Sequence, residues 1–368
     1  MKFTIICLLS LFMVNAHAQN SGHFEIKGKL LRPQSGIINL IVYKDGVEAK
    51  DSSELKNGTF TFSGNTEEGT TAYLMLSGKE NRKDYLKFYL EPGTINLEGS
   101  DKIAEMSISG SPLNKDNAAL IDLLKSYHKT EEAFNETYEK AVKEKNQHQL
   151  DSLDKAENNL LFEKRKYIAR FVGSHPNSIL SAIAILENYA YYAEASDVGP
   201  LYNELTSRVK STKPGKKVEE MLNVYKKLSI GNEIPEITQP DTSGHDYSLS
   251  SLRGKYVLVD FWASWCGPCR RENPKVVAAY EKYHPKGLEI LGVSYDRENG
   301  REKWIKAIND DKLFWHQVSD LKGWKNATSD EFHIKAIPAN ILISPQGKII
   351  AKNLFGSDLT DKLAELMP

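Results

Sequence analysis

Cysteine is almost absent from this chain: three occur in 368 residues, at positions 7, 266 and 269. An exported protein that relied on disulfides for stability would scatter its cysteines so that they close long loops. Here the last two are three positions apart and close almost nothing, so the pair is there for chemistry. An excess of charge is missing as well, with 48 Lys and Arg against 49 Asp and Glu. A nucleic-acid or polyanion partner would call for a basic surplus, and the composition excludes that class. Long apolar runs are lacking beyond the first eighteen residues, which leaves no candidate for stable membrane insertion. The histidines are scattered and form no close pair, so a zinc site built on the two neighbouring cysteines would lack its other two ligands. No metal is expected.

The N-terminus is the exception to the apolar rule. Lys2 precedes a mostly apolar run, Phe3 to Val14, followed by Ala16-His17-Ala18. A charged start, a short apolar centre and an A-x-A site predict a secretory signal peptide over residues 1–18, cleaved after Ala18. Cys7 would leave with it, and so would Lys2, leaving 47 basic and 49 acidic residues. With no anchor in sight, the expected location is the periplasm.

The rest reads as three stretches. Residues 22–112 carry short alternating or β-branched runs: Phe24 to Gly28, Ile37 to Tyr43, Thr59 to Phe62, Tyr73 to Leu76, Tyr85 to Leu90 and Thr94 to Leu97. Turn signals such as Asn57-Gly58 and Pro92-Gly93 separate them, which predicts a small all-β sandwich. Residues 113–230 change to helical spacing among many Glu and Lys, with a break at Ser174 to Ser178 and a more buried helix expected from Ile179 to Tyr192. Tyr189, Tyr191 and Tyr192 read as core and helix-end aromatics rather than a binding surface. Residues 231–368 alternate strand and helix and end in a hairpin around Pro345-Gln346-Gly347, which predicts a mixed α/β sheet.

Trp265-Cys266-Gly267-Pro268-Cys269 sits where a buried strand, Tyr256 to Phe261, passes into a helix. Two intervening residues let both sulfurs face each other across the first helical turn. Cys266 meets unpaired N–H groups and the positive end of the helix dipole, which favour thiolate, so it is the expected nucleophile and the exposed member. Cys269, one turn deeper, would resolve the mixed disulfide. Pro268 suits a first turn, where its missing N–H costs nothing. Asp260 is a charge in an apolar strand; burial would raise its pKa and suit it to proton transfer with Cys269, unless it is solvated at the strand end. Glu272, one turn past Cys269, either tunes the thiols or simply faces solvent. Trp262 reads as an apolar wall or as core, Pro274 as a helix kink, and His316 and His333 as bystanders.

The segment Leu258 to Cys269 resembles the active-site segment of thioredoxins nearly residue for residue. Arg270-Arg271-Glu272-Asn273-Pro274 continues it in the manner of the exported TlpA/ResA branch of thiol–disulfide oxidoreductases. Ala336-Ile337-Pro338-Ala339 is similar to the loop that carries the family's cis-proline, and the 69 positions from Cys269 to Pro338 fit that branch's central insertion. The resemblance spans about residues 231–368. More loosely, Glu91-Pro92-Gly93 and Gly110-Ser111-Pro112 make the β domain similar to one fused to such proteins in Bacteroidetes, with no known chemistry attached.

This resemblance implies a multidomain protein with a C-terminal thioredoxin fold. Its catalytic residues would be Cys266, Cys269, Asp260 and Glu272, and its substrate surface Trp265, Gly267, Pro268, Ile337 and Pro338. A cis Pro338 would leave the Ile337 backbone free to pair with a substrate chain. No cofactor is expected beyond the redox-active disulfide. The apolar Ile337 and the Gly267-Pro268 dipeptide point to a reductant of disulfides in exported proteins, fed by a membrane thiol donor, with apocytochromes c among the implied clients. A disulfide isomerase or oxidase is the alternative from the same residues, and a partner-binding protein with a secondary redox domain is the alternative from another class. A thiol peroxidase would need a Thr or Ser ahead of its cysteine, preceded by Pro, which Trp262-Ala263-Ser264-Trp265 does not supply.

Overall fold

A computed structural model describes residues 21–32, 35–44, 47–77 and 84–368. The expected signal peptide, with Cys7 and the cleavage point at Ala18, lies outside the described residues. Contacts divide the chain into two compact units, one made of residues up to 126 with 178–180, the other of residues 127–177 with 181–368.

The first unit is built on eight strands: β1 (Ser21–Leu30), β2 (Ser35–Lys44), β3 (Val47–Lys56), β4 (Thr59–Glu67), β5 (Thr70–Leu76), β6 (Tyr85–Leu90), β7 (Gly93–Gly99) and β8 (Ser107–Ser109). They hydrogen-bond in the order β6-β5-β2-β3-β4-β1-β7-β8. All neighbours are antiparallel except β1 and β7. The two halves of this sheet are joined in register at the β3–β4 hairpin, through the pair Lys56 and Thr59. Asn57 and Gly58 both sit at positive φ, 49° and 77°, as a two-residue hairpin turn requires. Apolar side chains from both halves, among them Ile26, Ile38, Leu74, Phe88 and Leu97, belong to one core. The expected two-layer β domain is thus one continuous sheet enclosing its own core.

Strand β3 has no apolar alternation, and only Leu55 on it is buried. Its ten-residue register with β2 makes it a strand, which is why periodicity missed it. Helix α1 (Pro112–Leu123) follows, capped by the Ser111 hydroxyl on the Asn114 N–H, with Pro112 in the first turn. The Asn114 side chain pairs with both the N–H and the carbonyl of Tyr89, at 2.9 and 2.7 Å.

Six helices come next: α2 (Lys125–Glu144), α3 (Gln147–Ser174), α4 (Ile179–Asn188), α5 (Ala195–Glu204), α6 (Ser207–Ser211) and α7 (Lys213–Lys227). The buried helix expected to reach Tyr192 stops at Asn188. Its last carbonyls turn to Arg165 of α3, whose guanidinium donates to the backbone oxygens of Asn188, Tyr191 and Tyr192. A cation at a helix C-terminus satisfies orphan acceptors and opposes the negative end of the dipole.

After a short ribbon of β9 (Thr238–Pro240) and β10 (Asp246–Ser248), the chain forms β11 (Tyr256–Trp262), α8 (Gly267–Tyr283), β12 (Leu288–Ser294), α9 (Arg301–Asp310), β13 (His316–Val318), α10 (Thr328–Glu331), β14 (Ala339–Ile343), β15 (Ile349–Lys352) and α11 (Ser357–Leu366). The sheet order is β13-β12-β11-β14-β15. Strand β11 runs parallel to β12 and antiparallel to β14, and β14 and β15 close the sheet as a hairpin. This is the thioredoxin fold. Its central strands, β11, β12 and β14, are almost wholly buried, as expected for a sheet covered on both faces. No helix among the described residues is long and apolar enough to cross a membrane.

Candidate active site

Strand β11 delivers the chain to Trp262, and four residues later Cys266 becomes the N-cap of α8. Cys266 and Cys269 are joined as a disulfide with their Cα atoms 5.3 Å apart. The Cys269 N–H points at the Cys266 sulfur from 3.1 Å. A thiolate released there would meet that N–H and the dipole of a seventeen-residue helix. Cys266 is less open than expected: it is 4 % exposed against 1 % for Cys269. The order of access stands, but a client must reach Cys266 across the loop that covers it.

That loop is 336–339. The Ile337–Pro338 peptide is cis, and the Ile337 carbonyl oxygen lies 3.7 Å from the Cys266 sulfur. Thus two segments 71 residues apart meet at one sulfur. Beside them Trp265 is 53 % exposed, with its ring edge-on to Trp324 at 6.0 Å; Trp324 is 42 % exposed and rests in turn on Tyr295. Trp262 is core, its indole N–H donating to Gln317 at 3.0 Å.

Asp260 is buried on β11 between Gly292 and Asn340, so it is not a solvated strand-end residue. Burial, followed by the nearby negative charge of Glu272, pushes its pKa up to about 7. Such a carboxyl can take up and release a proton at neutral pH. Glu272 does not face solvent. One of its oxygens bonds Lys275 at 3.1 Å, and the other accepts the N–H of Gly356, the N-cap of α11. Pro274 lies inside α8.

The approach to the cysteines is held by groups the sequence did not announce. Buried Asp296, just past the end of β12, accepts the Ser264 N–H at 2.8 Å, the Ser264 hydroxyl at 2.6 Å and the Ser294 hydroxyl at 2.9 Å. A charge just past the end of a buried strand was the available signal, close in kind to the charge inside β11 that drew attention to Asp260. Arg270 forks onto Asp311, which also accepts from Asn273 at 2.7 Å, so the first turns of α8 are tied to the end of α9. Arg271 donates to the Tyr138 hydroxyl of α2 at 3.2 Å.

Of the three tyrosines read as structural, Tyr189 is core, but Tyr192 reaches the site: its hydroxyl donates to the Pro338 carbonyl at 2.9 Å. No local pattern could have shown a bond across 146 residues. His316 stacks on Tyr247, and His333 lies edge-on to Tyr225, where burial lowers its pKa to about 4. No hydrogen bond joins either to the cysteine pair. Among the described residues no cluster of His, Cys, Asp or Glu is arranged to hold a metal ion.

Two family profiles match the chain: the AhpC/TSA family over residues 230–352, and a domain of unknown function, DUF4369, over residues 24–117. Among curated proteins, the thiol–disulfide oxidoreductase ResA of Geobacillus kaustophilus is 40 % identical over 145 residues, which is 38 % of this chain and 80 % of that protein. ResA of Bacillus subtilis is 30 % identical over 123 residues, 33 % of this chain and 66 % of that one. Among solved structures, the thioredoxin domain of a thiol–disulfide oxidoreductase from Bacteroides vulgatus is 40 % identical, covering 38 % of this chain and 99 % of that one, with a TM-score of 0.36.

Proposed function

The chain belongs to the thiol–disulfide oxidoreductases of the ResA type, and from that premise we propose that it is an exported dithiol reductant of disulfides in other exported proteins. The observation that carries the reading is the cysteine pair at the start of α8, with Cys266 as N-cap beside the Ile337–Pro338 loop.

The cycle begins with both cysteines reduced. The Cys266 thiolate attacks one sulfur of the client disulfide, forming a mixed disulfide and expelling the other client sulfur as thiolate, which takes a proton. Cys269 then gives up its proton, with the Asp260 carboxylate as acceptor, and its thiolate attacks the Cys266 sulfur. The Cys266–Cys269 disulfide forms, and the second client sulfur leaves as thiolate and takes the proton from Asp260. The client is left with two thiols, the first protonated from solvent in place of the proton that Cys266 lost on ionising. Two electrons and two protons have moved to the client, and a dithiol donor must restore the pair. A membrane thiol transporter would serve as that donor in the periplasm, and apocytochromes c are the clients we favour. The chemistry needs no further cofactor. Trp265, Gly267, Pro268, Ile337 and Pro338 would line the client's path, with Glu272 raising the pKa of nearby Asp260 and tying α8 to Gly356.

Rapid alkylation of thiols in cells making the full-length protein tests the direction. We expect Cys266 and Cys269 to be trapped mostly as dithiol. A pair trapped mostly as disulfide, with clients losing their own disulfides no faster than in a deletion strain, would overturn the reductant.

A further inference from the structure

The helices that precede the thioredoxin fold have no part in the chemistry just described, yet a side chain from the connection between two of them ends inside the site. Residues 189–192 follow α4 as an irregular segment in which Tyr192 takes a left-handed backbone, at φ 52°. A non-glycine residue adopts that conformation only where its surroundings fix it. Here they do. Arg165, itself buried, takes the Asn188 carbonyl at the end of α4 at 2.9 Å and two carbonyls of the segment, those of Tyr191 and, at 2.8 Å, Tyr192. Its guanidinium also lies 4.8 Å from the centre of the Tyr189 ring. On the other side Glu194 pairs with Lys352, the last residue of β15. Between these two anchors the Tyr192 ring packs edge-on against Phe355, and its hydroxyl meets the Pro338 oxygen.

We propose that Tyr192 is a positioning residue for client binding. By holding the Pro338 carbonyl, it sets the Ile337 backbone where an extended client chain must pair next to Cys266. This rests on the oxidoreductase reading and adds a role for the helical segment, with Arg165 as its fixed base. The partner implied is a polypeptide whose backbone runs beside its disulfide. A small disulfide without a peptide backbone would not need the loop held.

The test uses the full chain and Tyr192→Phe, which keeps the ring against Phe355 and removes one hydroxyl. Both proteins, kept reduced by excess dithiothreitol, are assayed on a peptide disulfide and on a small aromatic disulfide. KM for the peptide should rise about fivefold, the loss of one hydrogen bond's worth of ordering. Turnover of the peptide at saturation, the rate with the aromatic disulfide and the reduction potential should stay at wild-type values. An unchanged peptide KM would overturn the proposal, and so would a parallel fall with both substrates, which marks a merely structural role. A wild-type protein inert toward both disulfides would overturn the oxidoreductase reading itself.

Discussion

The two compact units differ in what they bury. Among the described residues, the polar side chains inside the first unit are uncharged: Asn39, Thr66, Ser111, Asn114 and Ser178. Asn39 bonds Ser52, and Asn114 bonds Tyr89 and Ser111, so these two close their needs locally. The second unit buries Arg165, Asp260, Glu289 and Asp296. Burying a charge is costly unless it is paired or hydrogen-bonded. Asp296 and Arg165 are multiply bonded, and Glu289 pairs with Lys255 at 2.6 Å. The Asp260 side chain makes no hydrogen bond to a described residue, and burial with the neighbouring Glu272 raises its pKa to about 7 instead. The difference is that Asp260 meets the cost of burial by a raised pKa, whereas Asn39 and Asn114 meet it with local hydrogen bonds.

Breaking the fold of the first unit should therefore move stability and leave exchange alone. Gly28 stands opposite Phe60 on β4, and a Cβ there would fall 2.0 Å from the Phe60 ring. Gly28→Ala should cost roughly 3 kcal/mol of that unit's stability, the range of an overpacked core, while the rate with the aromatic disulfide is unchanged. Thermal unfolding followed alongside that rate checks both halves. A matching fall in the rate would erase the contrast between the units.

Asp260→Asn sharpens the contrast from the other side. The native carboxyl holds its proton to about pH 7, whereas an unfolded one releases it near 3.8. The folded state thus binds more protons between those values, and stability declines as pH rises across that window. The wild type carries the full penalty above pH 7. Asn removes it, so the variant should be more stable by roughly 4 kcal/mol at pH 8, with a flatter stability profile between pH 4 and 7. It should also release clients from the mixed disulfide more slowly, since Cys269 loses its proton acceptor. Denaturant titrations at several pH values read the first effect, and single-turnover kinetics the second. A variant equally stable at pH 8 would mean that Asp260 ionises as an ordinary surface carboxylate does.

Much of the site was legible because its signals are local. Two cysteines at a strand–helix junction, one charge in an apolar strand and an Ile-Pro before a closing hairpin need no tertiary information. The missing parts are those that distant segments supply. Tyr192 depends on Arg165 ending α4 early, and helical spacing carried the expected helix past that point. One partner of Glu272, the Gly356 N–H, comes from 84 residues away, so its spacing on α8 could not separate a buried role from a solvated one. Burial of Cys266 follows from the 336–339 loop, which a short motif around the cysteine does not contain. Strand β3 shows the same limit in the first unit, where backbone pairing overrides a polar sequence.

The central claim, reduction of clients through Cys266 and Cys269, is tested most directly by the reduction potential of that couple, measured in the full-length protein after equilibration with thiol buffers. The account predicts a value near or below roughly −250 mV, in the range of thioredoxins. A value of roughly −120 to −180 mV, where oxidants and isomerases lie, would contradict it.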